Sequence, residues 1–187
     1  MDEEIIKNTK FNYSNFFKQN KFKLIWATAL VIISVIVLLI FNEYKKTQDI
    51  NISEKYNKAK ILIEKNDPNK SLKLLEEIIL KKNSFYSPSA LNLIIDNNLV
   101  KDKEKVLIYF EKVISNSKLD LETKNLFIFK KTIYMGDAIN ENELLSNLKP
   151  IIQSNSLWKN TASDYIKKYY LSKGEFNKAK EFETSTK

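Results

Sequence analysis

Eighteen consecutive uncharged residues, Leu24 to Phe41 (LIWATALVIISVIVLLIF), constrain this chain more than any other feature. Wound as an α-helix at 1.5 Å per residue, such a run measures about 27 Å, close to the hydrocarbon thickness of a bilayer. A core helix of a globular protein carries a polar face, and this run offers only Thr28 and Ser34. Lys21 and Lys23 close it on one side, and Glu43, Lys45 and Lys46 on the other, while Trp26 and Tyr44 stand where an aromatic belt belongs. Lys21, Lys23, Trp26 and Tyr44 are therefore the candidate membrane-interface residues. The run outlasts the roughly 7–15 apolar residues of a signal peptide, no small-x-small site follows it, and no Cys is available for lipidation. Residues 24–42 are expected to be an uncleaved transmembrane helix.

The side of the membrane is less constrained. Lys7, Lys10, Lys18, Lys21 and Lys23 precede the span, and Lys45, Lys46, Lys55, Lys58 and Lys60 follow it. A balance of five against five gives the positive-inside rule little to act on, but long domains cross largely regardless of charge. The short tail, residues 1–23, is then expected to be cytoplasmic and the remainder to lie outside. In that tail Phe11, Tyr13, Phe16, Phe17 and Phe22 interleave with Lys10, Lys18, Lys21 and Lys23, a composition suited to an anionic headgroup region.

The composition removes most chemistry. Among 187 residues there is no Cys, no His and no Arg; all 31 basic residues are Lys. Disulfides, thiolate nucleophiles, imidazole bases and His- or Cys-ligated metals are excluded, as is the bidentate guanidinium fork. An enzyme is not expected, nor a cofactor, a metal or a small-molecule substrate. The net charge of +8 is carried by Lys spread along the chain and alternating with acids, as in Lys101-Asp102-Lys103-Glu104-Lys105. Asn (21), Ile (23) and Lys (31) fill 75 of the 187 positions, as an AT-rich genome would encode them. Without a clustered basic patch, nucleic acid is not an expected partner.

Beyond a juxtamembrane linker or helix extension at 43–52, residues 53–187 read as all-α. Apolar residues recur at steps of three and four: Leu72, Leu75, Ile78 and Ile79; Val106, Tyr109, Phe110, Val113 and Ile114; Leu126, Phe129 and Ile133. Asp67-Pro68 and Ser87-Pro88 each read as a capping residue followed by Pro at the first helical position. Gly136 and Gly174 each fall just past a periodic run, as helix-terminating glycines do.

The turns recur as well. Asn66-Asp67, Lys101-Asp102, Gly136-Asp137 and Gly174-Glu175 are spaced by 35, 35 and 38 residues. The longer interval is explained by three extra residues, Ala138-Ile139-Asn140, which bring Leu148 into register with Leu75 and Phe110, and Ile151 with Ile78 and Val113. Helix-turn-helix units at a period near 34 are the tetratricopeptide signature, and four units follow, roughly 53–81, 87–116, 120–153 and 156–183. The consensus is degenerate, its Trp-Leu-Gly-Tyr positions mostly replaced; the last unit matches it best, with Ala162, Tyr169 or Tyr170, Gly174 and Ala179. An ordinary bundle of four helical hairpins is the alternative.

An N-terminal anchor followed by such a domain resembles the tetratricopeptide-like ancillary subunit family of the bacterial Sec translocon, which shares its domain type with cell-division coordinator proteins. The resemblance rests on the order of parts. It is carried by Leu119-Asp120-Leu121-Glu122 through Tyr134-Met135-Gly136-Asp137, then Leu148-Lys149-Pro150-Ile151, Ser156-Leu157-Trp158, and Leu171-Ser172-Lys173-Gly174-Glu175-Phe176 with Ala179. It implies a single-pass inner-membrane protein with periplasmic repeats, assisting secreted chains near the channel. The partners it implies are translocon subunits, a periplasmic chaperone or an emerging chain. A scaffold for cell-division or envelope assembly would look the same in sequence.

Stacked helix pairs line a concave surface with their first helices, the usual seat of an extended ligand. Asn97, Asn98, Lys130, Lys131, Tyr134, Lys167, Lys168, Tyr169 and Tyr170 are the candidate groove residues: Asn pairs with backbone groups and Tyr supplies area with a polar tip. Otherwise the Tyr pack between repeats and the Lys are solvated. The acidic pairs Glu76-Glu77 and Glu141-Glu143 are expected on exposed helical surface. Met135 and Phe127–Phe129 read as core, and Trp158 is expected between the third and fourth units.

Overall fold

A computed structural model describes residues 20–183, and every regular element among them is helical. The eight α-helices are α1 (Lys21–Glu64), α2 (Pro68–Leu80), α3 (Tyr86–Asp96), α4 (Lys103–Ile114), α5 (Leu121–Met135), α6 (Glu141–Gln153), α7 (Lys159–Ser172) and α8 (Phe176–Glu181), with a 3₁₀ turn at Gly136–Ala138. The chain divides into two compact units, residues 1–49 and 50–187, and α1 contributes to both.

In the first unit the apolar run is one uninterrupted helix, none of it buried, long and apolar enough to cross a membrane. Its two hydroxyls are satisfied within the helix: Thr28 Oγ1 donates to the Leu24 carbonyl at 2.8 Å and Ser34 Oγ to Leu30 at 2.9 Å. A membrane span must leave no polar group to hydrocarbon, and this helix meets that demand locally. Trp26 and Tyr44 are both exposed, and eighteen residues of helix place them about 27 Å apart, one at each end of the run. Residues 43–52 are helical throughout.

In the second unit the last turns of α1 pair with α2, and α3/α4, α5/α6 and α7/α8 follow as hairpins, each helix packing on its neighbours in sequence. This is helix-turn-helix repeat packing. Side-chain caps set its register: Asp67 accepts from Lys70 N, Asp102 from Glu104 N and Lys105 N, and Asn140 from Glu143 N. The cap-to-cap intervals of 35 and 38 contain the three-residue offset read from the sequence, which the structure spends on the 3₁₀ turn and buried Ile139.

Counting from each cap, the fourth, eighth and eleventh residues form three buried columns: Ser71, Val106 and Leu144; Leu75, Phe110 and Leu148; Ile78, Val113 and Ile151. The steps between them, four and then three residues, are each close to one turn of a 3.6-residue helix, so one face of each second helix is buried. Ala179, four residues past Glu175, continues the first column.

Three hairpin turns use a left-handed residue, Asn66 (φ 59), Asn98 (φ 49) and Gly174 (φ 75). In each, the next N–H returns to a carbonyl of the last helical turn: Asp67 to Leu62, Leu99 to Ile94, and Glu175 to Tyr170.

One boundary differs from expectation. Ser87 does not cap α3, which begins at Tyr86. Asn83 Oδ1 accepts from the Phe85 and Tyr86 N–H groups at 2.9 Å each, and Ser87 is buried with its hydroxyl donating to the Ile78 carbonyl. Pro88 falls in the first turn, where an N–H has no helical partner, so the ring is tolerated there.

Two cores result. One joins α1 through α5 and includes Phe127; the other joins α5 through α8 and includes Phe129. Residues two apart on a helix face about 200° away from each other, so α5 is buried on two sides. Met135 and Trp158, both half-buried, pack on the second core.

Candidate functional site

The nine groove candidates do not converge on one surface. Asn97 ends α3 and folds its Nδ2 onto the Leu93 carbonyl at 2.9 Å, and Asn98 is a left-handed turn residue. These two line an open recess of about 490 Å³ at the hairpin turns with Asn66, Asn69 and Lys101. Lys130 reaches back to Asn92 Oδ1 at 2.9 Å over the Phe127 ring, whereas Lys131 pairs with Glu111 on α4 at 2.5 Å. The Tyr134 ring packs 5.7 Å from that of Phe110. On α7, Lys167 pairs with Glu183, Lys168 is exposed, Tyr169 stacks edge-on against Tyr170, and Tyr170 is buried. Adjacent helical residues point about 100° apart, so runs such as 130–131 and 167–170 are divided among different neighbours. Of the interface candidates, Lys21, Lys23, Trp26 and Tyr44 are all exposed on α1. The tail aromatics up to Phe17 lie outside the described residues.

One member of each acidic pair is engaged between helices, while Glu77 remains exposed as expected. Glu76 accepts from the Tyr109 hydroxyl and pairs with Lys105 at 2.9 Å, while Glu77 pairs with Lys55. Glu141 repeats the arrangement: it accepts from the Tyr170 hydroxyl at 2.9 Å and from Lys178 at 2.8 Å. Lys105 and Lys178 are both third after their helix caps and both lie over the ring of the same Tyr, at 5.8 and 5.3 Å.

The two clusters thus join neighbouring repeats by one chemistry. Burial opposes the charge on Glu76, but the hydrogen bonds from Tyr109 and Lys105 prevail and hold its carboxyl below the ordinary value. Lys178 and then Tyr170 lower Glu141 likewise. Burial, followed by the Glu141 carboxylate, pushes the Tyr170 phenol up to about 12. Every one of these shifts moves away from neutrality, so neither cluster holds a group poised to exchange a proton near pH 7.

One cleft has the features of a binding site. Between α4, α5 and α6 lies a recess of about 220 Å³ walled by Ile114, Ile128, Ile151 and Pro150, with Asn125, Asn147, Ser146 and the Glu111–Lys131 pair. Asn147 Nδ2 is buried and has no hydrogen-bond partner among the described residues. Beside it, Pro150 inside α6 has no N–H to give the Ser146 carbonyl four residues back. The cleft therefore holds a buried amide donor beside an apolar wall. Lys131 is the one groove candidate that reaches this cleft. The others escaped the sequence reading because Asn125 and Asn147 carry no motif; the legible signals were a Pro within an otherwise regular helix and a polar residue beside the buried column at Leu148.

No group of three or more metal-ligating side chains comes together among the described residues. No protein-family model, curated protein or solved structure matches the chain.

Proposed function

We propose that this protein is a membrane-anchored binding module whose helical repeats hold an extended peptide segment. The observation that carries this reading is the unpartnered Asn147 Nδ2 in the α4–α6 cleft, with Pro150 leaving the Ser146 carbonyl without its helical N–H one residue before it. A buried donor without a partner is unfavourable by about 1–3 kcal/mol, and a peptide main chain offers a carbonyl for the Asn and an N–H for the Ser carbonyl. At about 220 Å³ the cleft is smaller than the usual small-molecule pocket and suits one apolar side chain of a bound chain. The mechanism is binding rather than turnover: a partner confined to the same membrane gains effective concentration, so single contacts can be weak.

The order of parts supports placing this module in the bacterial inner membrane, with a cytoplasmic N-terminus and periplasmic repeats. There it would assist secreted chains at the Sec translocon or hand them to a periplasmic chaperone. The alternative is a scaffold for cell-division or envelope assembly. Two measurements test the reading. Single cysteines at Ser14 and Ser185, in a chain with no native Cys, report the side of each end to a membrane-impermeant thiol reagent. A crosslinker at Ser146→Cys is expected to recover channel subunits or emerging chains, and Asn147→Leu to reduce that yield severalfold. Divisome proteins without channel subunits would select the scaffold; a Ser185→Cys label on the cytoplasmic side would sink the translocon reading.

A further inference from the structure

The two edges of the helical unit differ in kind. At one edge lie the turns within hairpins, 65–67, 97–102, 136–140 and 173–175, whose sequence contains three Lys against four acids. At the other lie the connections between hairpins, 80–86, 114–121 and 153–159, with four Lys against one Asp. This second edge also carries large apolar side chains in the open: Leu80 is 61% exposed, Phe85 66%, Leu121 63% and Leu157 82%.

Phe85, Leu121 and Leu157 are spaced by 36 residues and again by 36, each within two residues of the start of α3, α5 or α7. Lys82 and Lys118 precede the first two by three positions, and Lys81, Lys124 and Lys159 complete the set. All five Lys are exposed, and none is in an ion pair among the described residues.

The three connections form one ridge. Asn116 Nδ2 reaches the Asn83 carbonyl at 3.5 Å, joining the first to the second. Glu122 Oε2 accepts from Ser156 Oγ at 2.8 Å and from Leu157 N at 3.0 Å, joining the second to the third. The nearby acids are already engaged: Asp120 caps α5 through Thr123, Glu122 holds the third connection, and Glu77 pairs with Lys55. The ridge therefore presents apolar side chains among five lysines that no ion pair among the described residues holds, against the two carboxylates of Asp120 and Glu122, which are bonded to neutral groups.

We infer that this edge is a lipid-contacting surface that rests on the anionic headgroups of a bilayer, Phe85, Leu121 and Leu157 entering the interface while the surrounding lysines meet lipid phosphates. Isolated exposed apolar residues are ordinary, but a Phe and two Leu at one repeat position with flanking Lys match the composition of interfacial segments. The ridge is also the edge where α1 enters the unit, since the Tyr56 ring packs 5.5 Å from that of Tyr86. Fourteen residues lie between Phe41 and Tyr56, so the chain itself tethers this edge to the apolar run. The inference rests on the membrane reading of that run only for this tether.

The test uses the full chain reconstituted in phosphatidylcholine vesicles with or without about 30 mol% phosphatidylglycerol. Single cysteines at Phe85, Leu121 and Leu157 carry an environment-sensitive dye, with Lys101→Cys as control on the opposite edge and Ser34→Cys in the apolar run. Doxyl-lipid quenchers are expected to remove about half or more of the emission from the three ridge probes in anionic vesicles, and little from Lys101→Cys. Replacing Lys81, Lys82, Lys118, Lys124 and Lys159 by Gln is expected to abolish that ridge quenching. Ridge probes that stay unquenched in anionic vesicles overturn the inference, as does quenching that ignores lipid charge or ridge cysteines that instead crosslink two copies of the chain. Deep quenching at Ser34→Cys reports the span separately. If it is absent while the ridge is quenched, the span reading fails and the lipid-facing ridge stands.

Discussion

Truncating Phe127 and Phe129, two positions apart on α5, is expected to weaken different halves of the helical unit. Phe127 is 2% exposed and lies 6.3 Å from the Phe110 ring in the first core; Phe129 is 7% exposed and meets Tyr165 edge-on at 5.8 Å in the second. Removing a buried Phe side chain destabilises by about 3–5 kcal/mol, part transfer and part cavity. A unit of this size is stable by roughly 7–20 kcal/mol, so either variant should remain folded. Because the rings share no core, the double variant should equal the sum of the singles within about 0.5 kcal/mol. Hydrogen exchange of the full chain in detergent micelles resolves where the loss falls. Phe127→Ala should accelerate exchange in α2–α4, and Phe129→Ala in α6–α8, by about a hundredfold or more where opening is in fast equilibrium. If both substitutions accelerate the same helices equally, or the double variant departs from additivity by more than about 1 kcal/mol, the two-core reasoning is wrong.

Gly174→Ala should cost about 1–2 kcal/mol through backbone torsion alone: its φ is 75, and a Cβ there would meet nothing within 4 Å. Urea unfolding checks this, with Asn98→Gly at φ 49 as the counterpart expected to lose little. Burial of Tyr170, together with its contact to Glu141, fixes a pH response. The Tyr170 phenol titrates near 12 folded against 10.0 ordinarily, so its stabilisation is complete below pH 10 and lost as pH rises towards 12; Tyr170→Phe should flatten that limb of thermal melting against pH. Glu76 and Glu141 are lowered from 4.5, so their stabilisation is complete above that pH and lost as the medium becomes more acid.

Much of the architecture was legible because it is local. An 18-residue apolar run fixes a helix of bilayer length before any tertiary contact forms, and its two hydroxyls bond within that same helix. The columns Leu75–Phe110–Leu148 and Ile78–Val113–Ile151, and the three-residue offset at Ala138–Asn140, follow from helical periodicity and caps that act within one turn. Ser87-Pro88 misled because the cap is supplied from Asn83, and Ser87 instead turns inward to the Ile78 carbonyl.

The destinations of the polar side chains were decided only when the hairpins packed. Lys130 and Lys131 are adjacent in sequence yet serve Asn92 on α3 and Glu111 on α4, because each residue step turns the helix by about 100° and different neighbours stand at each bearing. Glu76 and Glu141 read as solvent-facing acids until a Tyr and a Lys closed on them, both from α4 for Glu76 and from α7 and α8 for Glu141. The α4–α6 cleft likewise exists only between helices: Asn125, Asn147 and Glu111 are distant in sequence and share no pattern. Periodicity and caps are properties of one segment and can be read from it. A side chain's partner depends on the distance and angle between segments, which the packed cores alone determine.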